Sequence, residues 1–457
     1  MPQNILFIVI DSLRADQIYN KDKTSVTPNF DKLINSGVYF EQAISSSDAT
    51  LLNWASMFTG KYAFKTGIRS TKFNKLNKNH KTLFDILKKL DYHFYGYLPE
   101  LGELVGMFPD FENSDSSYGK LSLDDGLGEK IINQLSIQKM NKPWFFYIHL
   151  EELHFPISVP SSFNSKKFGV NNYEREISFI DYWIGRIVEK INLEETLVVI
   201  TSDHGCYIPS AKVNDIVINL EEKPKLQKIA RMTHSNLPKF FEPLKKHVFL
   251  ILEKLHKQRK RNSIKNLNLE PFQKRNLLWQ RSDLDKFLFE ENIHVPLFLI
   301  GKGIMNPKKI SQLVRTIDIS PTLIDLIGCQ NLFDTDGRSV KLLIDGMTVD
   351  DLPAFIESTP FGQLHSNDVI GIRTSKFKYF RDNNNSEKRV HLFDLEIDPF
   401  ENKNIASSNP KIILELESKI NEILNQSSQN GPKINDTKKN DDESKLIEDE
   451  LKKLGYM

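Results

Sequence analysis

The stretch Asn4-Ile5-Leu6-Phe7-Ile8-Val9-Ile10-Asp11 decides the fold class. An unbroken apolar run between polar residues reads as a strand buried on both faces, and such strands belong to mainly parallel sheets covered by helices. The pattern recurs at residues 144–148 before His149, at 196–200 before Thr201-Ser202-Asp203-His204, and at 295–300 before Gly301. Amphipathic helical periodicity separates these runs, clearest over 81–90, 173–191 and 319–327. The reading is an α/β fold. In open α/β sheets the ligand crevice lies outside the carboxyl ends of the strands. Three of these four strand ends carry acids or histidines.

Beyond Val369 the runs give way to alternating segments at 370–374, 376–381 and 389–393, joined by the turn-forming Asp382-Asn383-Asn384-Asn385-Ser386 and followed by a helix over 410–424. The expected organisation is a catalytic domain over 1–365, interrupted by an insertion at about 206–288, then a small antiparallel sheet and helix over 366–425. Residues 426–443 read as a polar linker, and 445–456 as a short amphipathic helix that docks back.

Lys plus Arg is 61 and Asp plus Glu is 60, a net charge of +1 that excludes a global polyanion field. Two cysteines, Cys206 and Cys329, cannot build a disulfide scaffold or a zinc cluster, and fit a reducing compartment. No apolar run approaches the roughly 20 residues that cross a bilayer. Met1-Pro2-Gln3-Asn4 leads straight into the first strand without the pattern of a signal peptide, so a cytoplasmic protein is expected.

Charge is nevertheless segregated. Residues 222–286 hold 12 Lys and 5 Arg against 4 Glu and 2 Asp, roughly +11 locally. Within them Phe240, Phe241, Leu244, Val248, Leu252 and Leu255 fall at helical spacing among lysines and arginines. Three readings stay open: the solvated face of a helical hairpin, a surface for an anionic lipid or phosphate-rich substrate, or a nucleic-acid contact. A peripheral contact of residues 238–261 with the inner face of a membrane follows from the second.

The chemistry gathers at Asp11, Asp203, His204 and Thr50, the last in Ser45-Ser46-Ser47-Asp48-Ala49-Thr50-Leu51-Leu52-Asn53-Trp54. Two carboxylates, an imidazole and a hydroxyl suit one divalent cation, whether Mn, Ca, Mg or Zn, which would also acidify a coordinated hydroxyl. A lone strand-end Asp more often caps a helix; the constellation is what argues for function.

At these residues the chain resembles the alkaline phosphatase superfamily, in its sulfatase and phosphonate monoester hydrolase-like branch. The resemblance runs in order from the first strand with Thr27-Pro28-Asn29-Phe30, through Thr50 to Tyr62, Ile148 to Pro156, Thr201 to Gly205, Glu290 to Leu297 and Thr316 to Leu323, to Asp336-Gly337-Arg338-Ser339 and Leu392 to Pro399. It implies an alkaline-phosphatase-like fold, a single divalent metal on Asp11, Asp203 and His204, Thr50 as a nucleophile that touches the metal, and His154 against the transferred group or leaving oxygen. Arg281 and His294 fall where substrate groups are often met in this family. His149 is expected to serve structure, because strand alternation directs it away from His154. Cys206 reads as a small buried hydrophobe rather than a soft ligand.

Departures from the resemblance carry as much weight. Sulfatases of the branch carry Cys or Ser in a Cys/Ser-x-Pro-x-Arg context that is oxidised to formylglycine. Here Thr50 stands for the Cys, Leu52 for the Pro and Trp54 for the Arg. Threonine bears a methyl on Cβ and cannot become formylglycine, so a metal-activated hydroxyl is expected instead. Ser12 replaces a second Asp, and no further ligands for a second metal are found. The expected protein is a metal-dependent hydrolase or transferase of a phosphodiester, favoured over a sulfate ester, on a glycan- or lipid-linked small-molecule substrate and not on nucleic acid. The alternative is an inactive sulfatase-like binding protein, against which retention of all three metal ligands speaks.

Overall fold

The computed structural model describes residues 3–68, 76, 79–102, 106–119, 121–136, 140–213, 216–221, 255, 257–279, 288–329, 334–358 and 368–428. Residues 222–254 and 256, which hold most of the 238–261 stretch expected to contact a membrane, together with Arg281 and the tail beyond 428, therefore lie outside the described residues.

Seven strands form the central sheet: β1 (Asn4–Ile10), β2 (Val38–Ile44), β3 (His93–Tyr97), β4 (Trp144–Leu150), β5 (Thr196–Thr201), β8 (His294–Gly301) and β9 (Lys308–Arg315). Their order is β3-β4-β1-β5-β8-β2-β9, parallel throughout except for β8, which runs antiparallel to β5 and β2. The α/β expectation holds. β1, β4 and β5 are buried along their whole lengths, as doubly covered strands must be. Alternation sorts their side chains. Ile5, Phe7, Val9, Phe145, Tyr147, Leu197 and Val199 face one core with the helices Thr50–Thr59, Leu83–Lys89 and Ile319–Leu326. Leu6, Ile8, Ile10, Phe146, Ile148, Val198 and Ile200 face the other with Pro28–Ser36, Gly128–Ser136 and Asn172–Val188.

The reversed strand has a topological consequence. β5 ends at Thr201 and β8 begins at His294, with Thr201 paired to Leu297, so the insertion leaves and re-enters the sheet at one edge. Its described part holds the hairpin β6 (Ser210–Val213) and β7 (Ile216–Asn219) and the helix Pro271–Leu278, so a β-hairpin stands in what was expected to be a helical insertion.

A four-stranded antiparallel sheet follows: β10 (Ala354–Ser358), β11 (Val369–Arg373), β12 (Phe377–Asp382) and β13 (His391–Asp394). It takes its first strand from the chain before residue 366. The helix Pro410–Ser428 covers one face through Leu416 and Ile420, and the other face packs on Ile44, Ile293 and Leu313 of the main domain. At this seam the fully buried Lys378 ammonium sits between Glu290, at 3.0 Å, and Glu401, at 2.5 Å. No described helix is long and apolar enough to cross a membrane.

Candidate active site

Asp11 follows β1, its amide bonded to the Leu150 carbonyl of β4 at 2.8 Å, so its carboxylate emerges at the carboxyl edge of the sheet. There the chain turns sharply: Ser12 takes a φ of 63°, a left-handed conformation rare outside glycine. The turn is held from several sides. Tyr173 of the helix Asn172–Val188 donates its hydroxyl to the Ser12 carbonyl at 2.6 Å and accepts the Arg14 amide at 3.0 Å. Ser12 donates its own hydroxyl to Asp11 Oδ1 at 2.5 Å and its amide to Asp203 Oδ1 at 3.2 Å. The two expected carboxylates thus meet across one turn, as a shared cation demands.

Asp203 and His204 leave β5 in a loop clamped to the segment before β8. The Gly205 amide bonds the Asn292 carbonyl at 2.8 Å, and a Cβ on Gly205 would lie 2.1 Å from the Glu291 carbonyl oxygen, so only glycine passes here. Asp203 Oδ1 also accepts the His204 amide at 2.8 Å. Thr50 is the first residue of the helix Thr50–Thr59, placing its hydroxyl at a helix N-terminus where developing negative charge is stabilised. Thr50 Oγ1 lies 3.4 Å from Asp11 Oδ2 and 3.3 Å from His204 Nε2.

Hydrogen-bond bookkeeping identifies what the site wants. His204 Nδ1 lies 2.7 Å from the Gly205 carbonyl, which can only accept, so Nδ1 carries the proton and Nε2 presents its lone pair. That lone pair faces Asp203 Oδ2 at 3.6 Å and Asp11 Oδ1 at 4.0 Å. Acceptors converging in a buried space call for a positive charge between them. The titration behaviour agrees. Burial and then the charge of Asp11 raise the Asp203 carboxyl. Burial also opposes protonation of His204, yet the charges of Asp203 and Asp11 outweigh it and raise the imidazole. Burial pushes Asp11 up, but the His149 imidazole and the charges of His204 and His154 hold it well below the ordinary carboxylate range. Asp11, Asp203 and His204 therefore fit one divalent cation.

A model of the family described as "Sulfatase" matches residues 3–329, most of the chain. The chain belongs to the sulfatase family. A second model, "N-sulphoglucosamine sulphohydrolase, C-terminal", matches residues 282–429 and so spans the small sheet and its helix. Arylsulfatase K of Mus musculus is 29% identical over 144 residues, 30% of this chain and 26% of that protein, so the matched stretch spans about a quarter of the relative. Among solved structures, a protein in complex with its substrate D-glucosamine-2-N,6-O-disulfate is 16% identical with a TM-score of 0.64, covering 95% of this chain and 100% of the other. The phosphonate monoester hydrolase of Agrobacterium radiobacter is 17% identical with a TM-score of 0.62, covering 93% and 96%. These two likenesses establish the fold.

Against the sulfatase pattern, the remaining candidates divide. His154, half-buried in the loop after β4, is near enough for its charge to act on Asp11. His294 opens β8 at the same edge, but its Nε2 meets the Glu41 carbonyl at 2.8 Å and its Nδ1 lies 3.8 Å from Glu290. Arg281 lies outside the described residues. Cys206 is buried, its thiol pushed up to about 12 by that burial, which suits a hydrophobe better than a ligand.

His149 departs from the expectation. Its ring meets that of Tyr147, on the face covered by the helix bearing Thr50. It is fully buried, with Nε2 3.6 Å from Asp11 Oδ2. Trp54, one turn beyond Thr50, donates its indole N–H to His149 Nδ1 at 3.2 Å. The parallel register pairing His149 with Val9, two residues before Asp11, was the available signal.

Proposed function

We propose that this sulfatase-family chain is a metal-dependent hydrolase or transferase of a monoanionic ester, a phosphodiester in preference to a sulfate ester, with Thr50 as nucleophile and a glycan- or lipid-linked substrate. The observation that carries the reading is the Thr50 hydroxyl at a helix N-terminus, 3.4 Å from Asp11 Oδ2 and 3.3 Å from His204 Nε2. A divalent cation would be held by Asp11, Asp203 and His204 and would supply Lewis acidity there. Thr50 Oγ1 passes its proton to solvent and forms the bond to phosphorus as the bond to the leaving oxygen breaks, and His154 gives that oxygen its proton. Water, or an acceptor hydroxyl, then gives its proton to the neutral His154 as it attacks phosphorus, and the released Thr50 oxygen takes a proton from solvent.

The preference for phosphorus follows from the nucleophile. An aldehyde hydrate can expel a bound sulfate by collapse at its own carbon, because a second hydroxyl shares that carbon. Threonine has no second hydroxyl on Cβ, so its ester must be opened by attack at the central atom, and an aligned oxygen nucleophile at phosphorus is what positioning and charge compensation promote. The relatives' names support the wider class of sulfate and phosphonate esters.

The test compares bis-nitrophenyl phosphate, nitrophenyl sulfate and a nitrophenyl phosphonate on Mn²⁺-loaded enzyme, with Thr50→Ala and Thr50→Ser alongside. Thr50→Ala is expected to lower kcat at least about a thousandfold, some 4 kcal/mol of barrier. Thr50→Ser should keep measurable turnover. Loss within a factor of about ten in the alanine variant would remove Thr50 as nucleophile. A sulfate ester turned over faster than the diester would overturn the preference.

A further inference from the structure

His149 lies where a third metal ligand could sit. Its ring nitrogen and one carboxylate oxygen each of Asp11 and Asp203 all lie within 4.8 Å of one another. The hydrogen bonding of the ring argues otherwise. An indole N–H is a donor without a lone pair to offer, so the 3.2 Å contact from Trp54 Nε1 requires a lone pair on His149 Nδ1. Tyr147, whose hydroxyl lies 3.1 Å from the same nitrogen, can donate as well. A neutral imidazole with Nδ1 unprotonated carries its hydrogen on Nε2. Metal-bound histidines have the reverse arrangement, donating the distal N–H outward to an acceptor while the other nitrogen binds. His204 has that arrangement, with Nδ1–H on the Gly205 carbonyl. The two histidines beside Asp11 are thus held in opposite tautomers by their neighbours.

We propose that His149 is a positioning residue and not a metal ligand: Trp54 fixes its Nε2–H tautomer, and that proton is aimed at Asp11 Oδ2 to orient the carboxylate. The packing supports this. Trp54 and His149 are fully buried and meet edge to face, with ring centroids 5.0 Å apart and planes at 79°, so the imidazole has no room to turn over. Among the described residues His149 Nε2 has no hydrogen-bond partner of ordinary length, and Asp11 Oδ2 lies 3.6 Å from it. A buried N–H beside a carboxylate is a charge-assisted contact that favours one orientation of that carboxylate. Asp11 would then be held by Ser12 Oγ on Oδ1 and by His149 on Oδ2, which Thr50 Oγ1 also approaches at 3.4 Å. Trp54, standing where sulfatases of the branch carry Arg, acts here through its indole N–H.

This inference rests on the reading of Asp11 as a metal ligand, and the experiment separates the two. Histidine is labelled with ¹⁵N in the full chain, and long-range ¹H–¹⁵N correlations are recorded before and after Zn²⁺. The expected result is a His149 spectrum of the Nε2–H tautomer in both states, while the His204 Nε2 resonance shifts on binding. Trp54→Phe should convert His149 to a mixture of tautomers. For Zn²⁺ affinity, His149→Gln, which keeps an amide N–H near the Nε2 position, should stay within about threefold of wild type, and His149→Leu should weaken binding about 10–100-fold, as loss of an outer partner does. Loss of the Nε2 proton on Zn²⁺ binding would make His149 a ligand and overturn the proposal. An unchanged tautomer in Trp54→Phe would overturn the role of the indole. Absence of any Zn²⁺ binding by the wild-type chain would instead overturn the metal reading beneath it.

Discussion

Glu176 offers a perturbation whose size follows from its surroundings. It lies on the helix Asn172–Val188, only 2% exposed, with Oε2 lacking a hydrogen-bond partner among the described residues. Burial first, and then the charges of Glu152 and Asp124, push its carboxyl up to about 9. In the unfolded chain such a group releases its proton near the ordinary glutamate value, about 4.3. Its folded value is raised, so the folded state binds the extra proton between the two values, and stability falls as pH rises through that window. Linkage sets the slope at about 1.4 kcal/mol per pH unit, giving an upper figure near 5 kcal/mol by about pH 8. Glu176→Gln keeps the shape and removes the titration. It should match wild type near about pH 4 and exceed it by about 2–5 kcal/mol near about pH 8. Urea unfolding of both proteins at both pH values measures this as a double difference, which cancels groups that titrate alike in the two. Glu152, raised to about 7 by burial, supplies part of the charge that raises Glu176 and titrates in both proteins. Equal stability differences at the two pH values would refute the reasoning. The element matters to the site, since the same helix carries Tyr173, which holds the Ser12 turn.

Three further outcomes are expected. Lys378→Met removes the only ammonium between Glu290 and Glu401 given by the described contacts, leaving two buried carboxylates, and should cost about 3–5 kcal/mol in urea unfolding; a cost under about 1 kcal/mol would show that Arg373 and Arg275 already compensate them. Asp203→Asn should weaken Mn²⁺ binding at least about a hundredfold by calorimetry, since it halves the carboxylate charge at the cation, and unchanged binding would move the metal elsewhere. Tyr173→Phe strands the Arg14 amide and the Ser12 carbonyl and should cost about 1–3 kcal/mol while loosening Mn²⁺ affinity, with retained affinity pointing to a turn that holds itself.

Much of this was legible in the sequence because doubly buried strands write themselves as apolar runs: β1, β4, β5 and β8 fall where residues 4–10, 144–148, 196–200 and 295–300 predicted. Strand direction was not, since a run such as Val295 to Ile300 has the same composition read either way, and only the 3D return of the insertion to one edge shows β8 reversed. Asp11, Asp203 and His204 were legible as strand-end residues, and their meeting through the Ser12 amide follows from neighbouring parallel strands that end together. His149 was not, and the reason is instructive about faces. Alternation says that residue 149 opposes residue 148, but not which helix covers which side of the sheet, and the helix bearing Thr50 happens to cover the side of Tyr147 and His149. The same blindness left Trp54 as no more than the residue standing where the branch carries Arg. In the folded chain its indole meets an imidazole rather than a substrate oxygen, and an N–H that fixes another residue's tautomer leaves no trace in charge, hydropathy or spacing. A substitution of Arg by Trp beside the proposed nucleophile is therefore no measure of activity until the partner of the indole is known, and here that partner lies 3.6 Å from the carboxylate on which the proposed metal site is built.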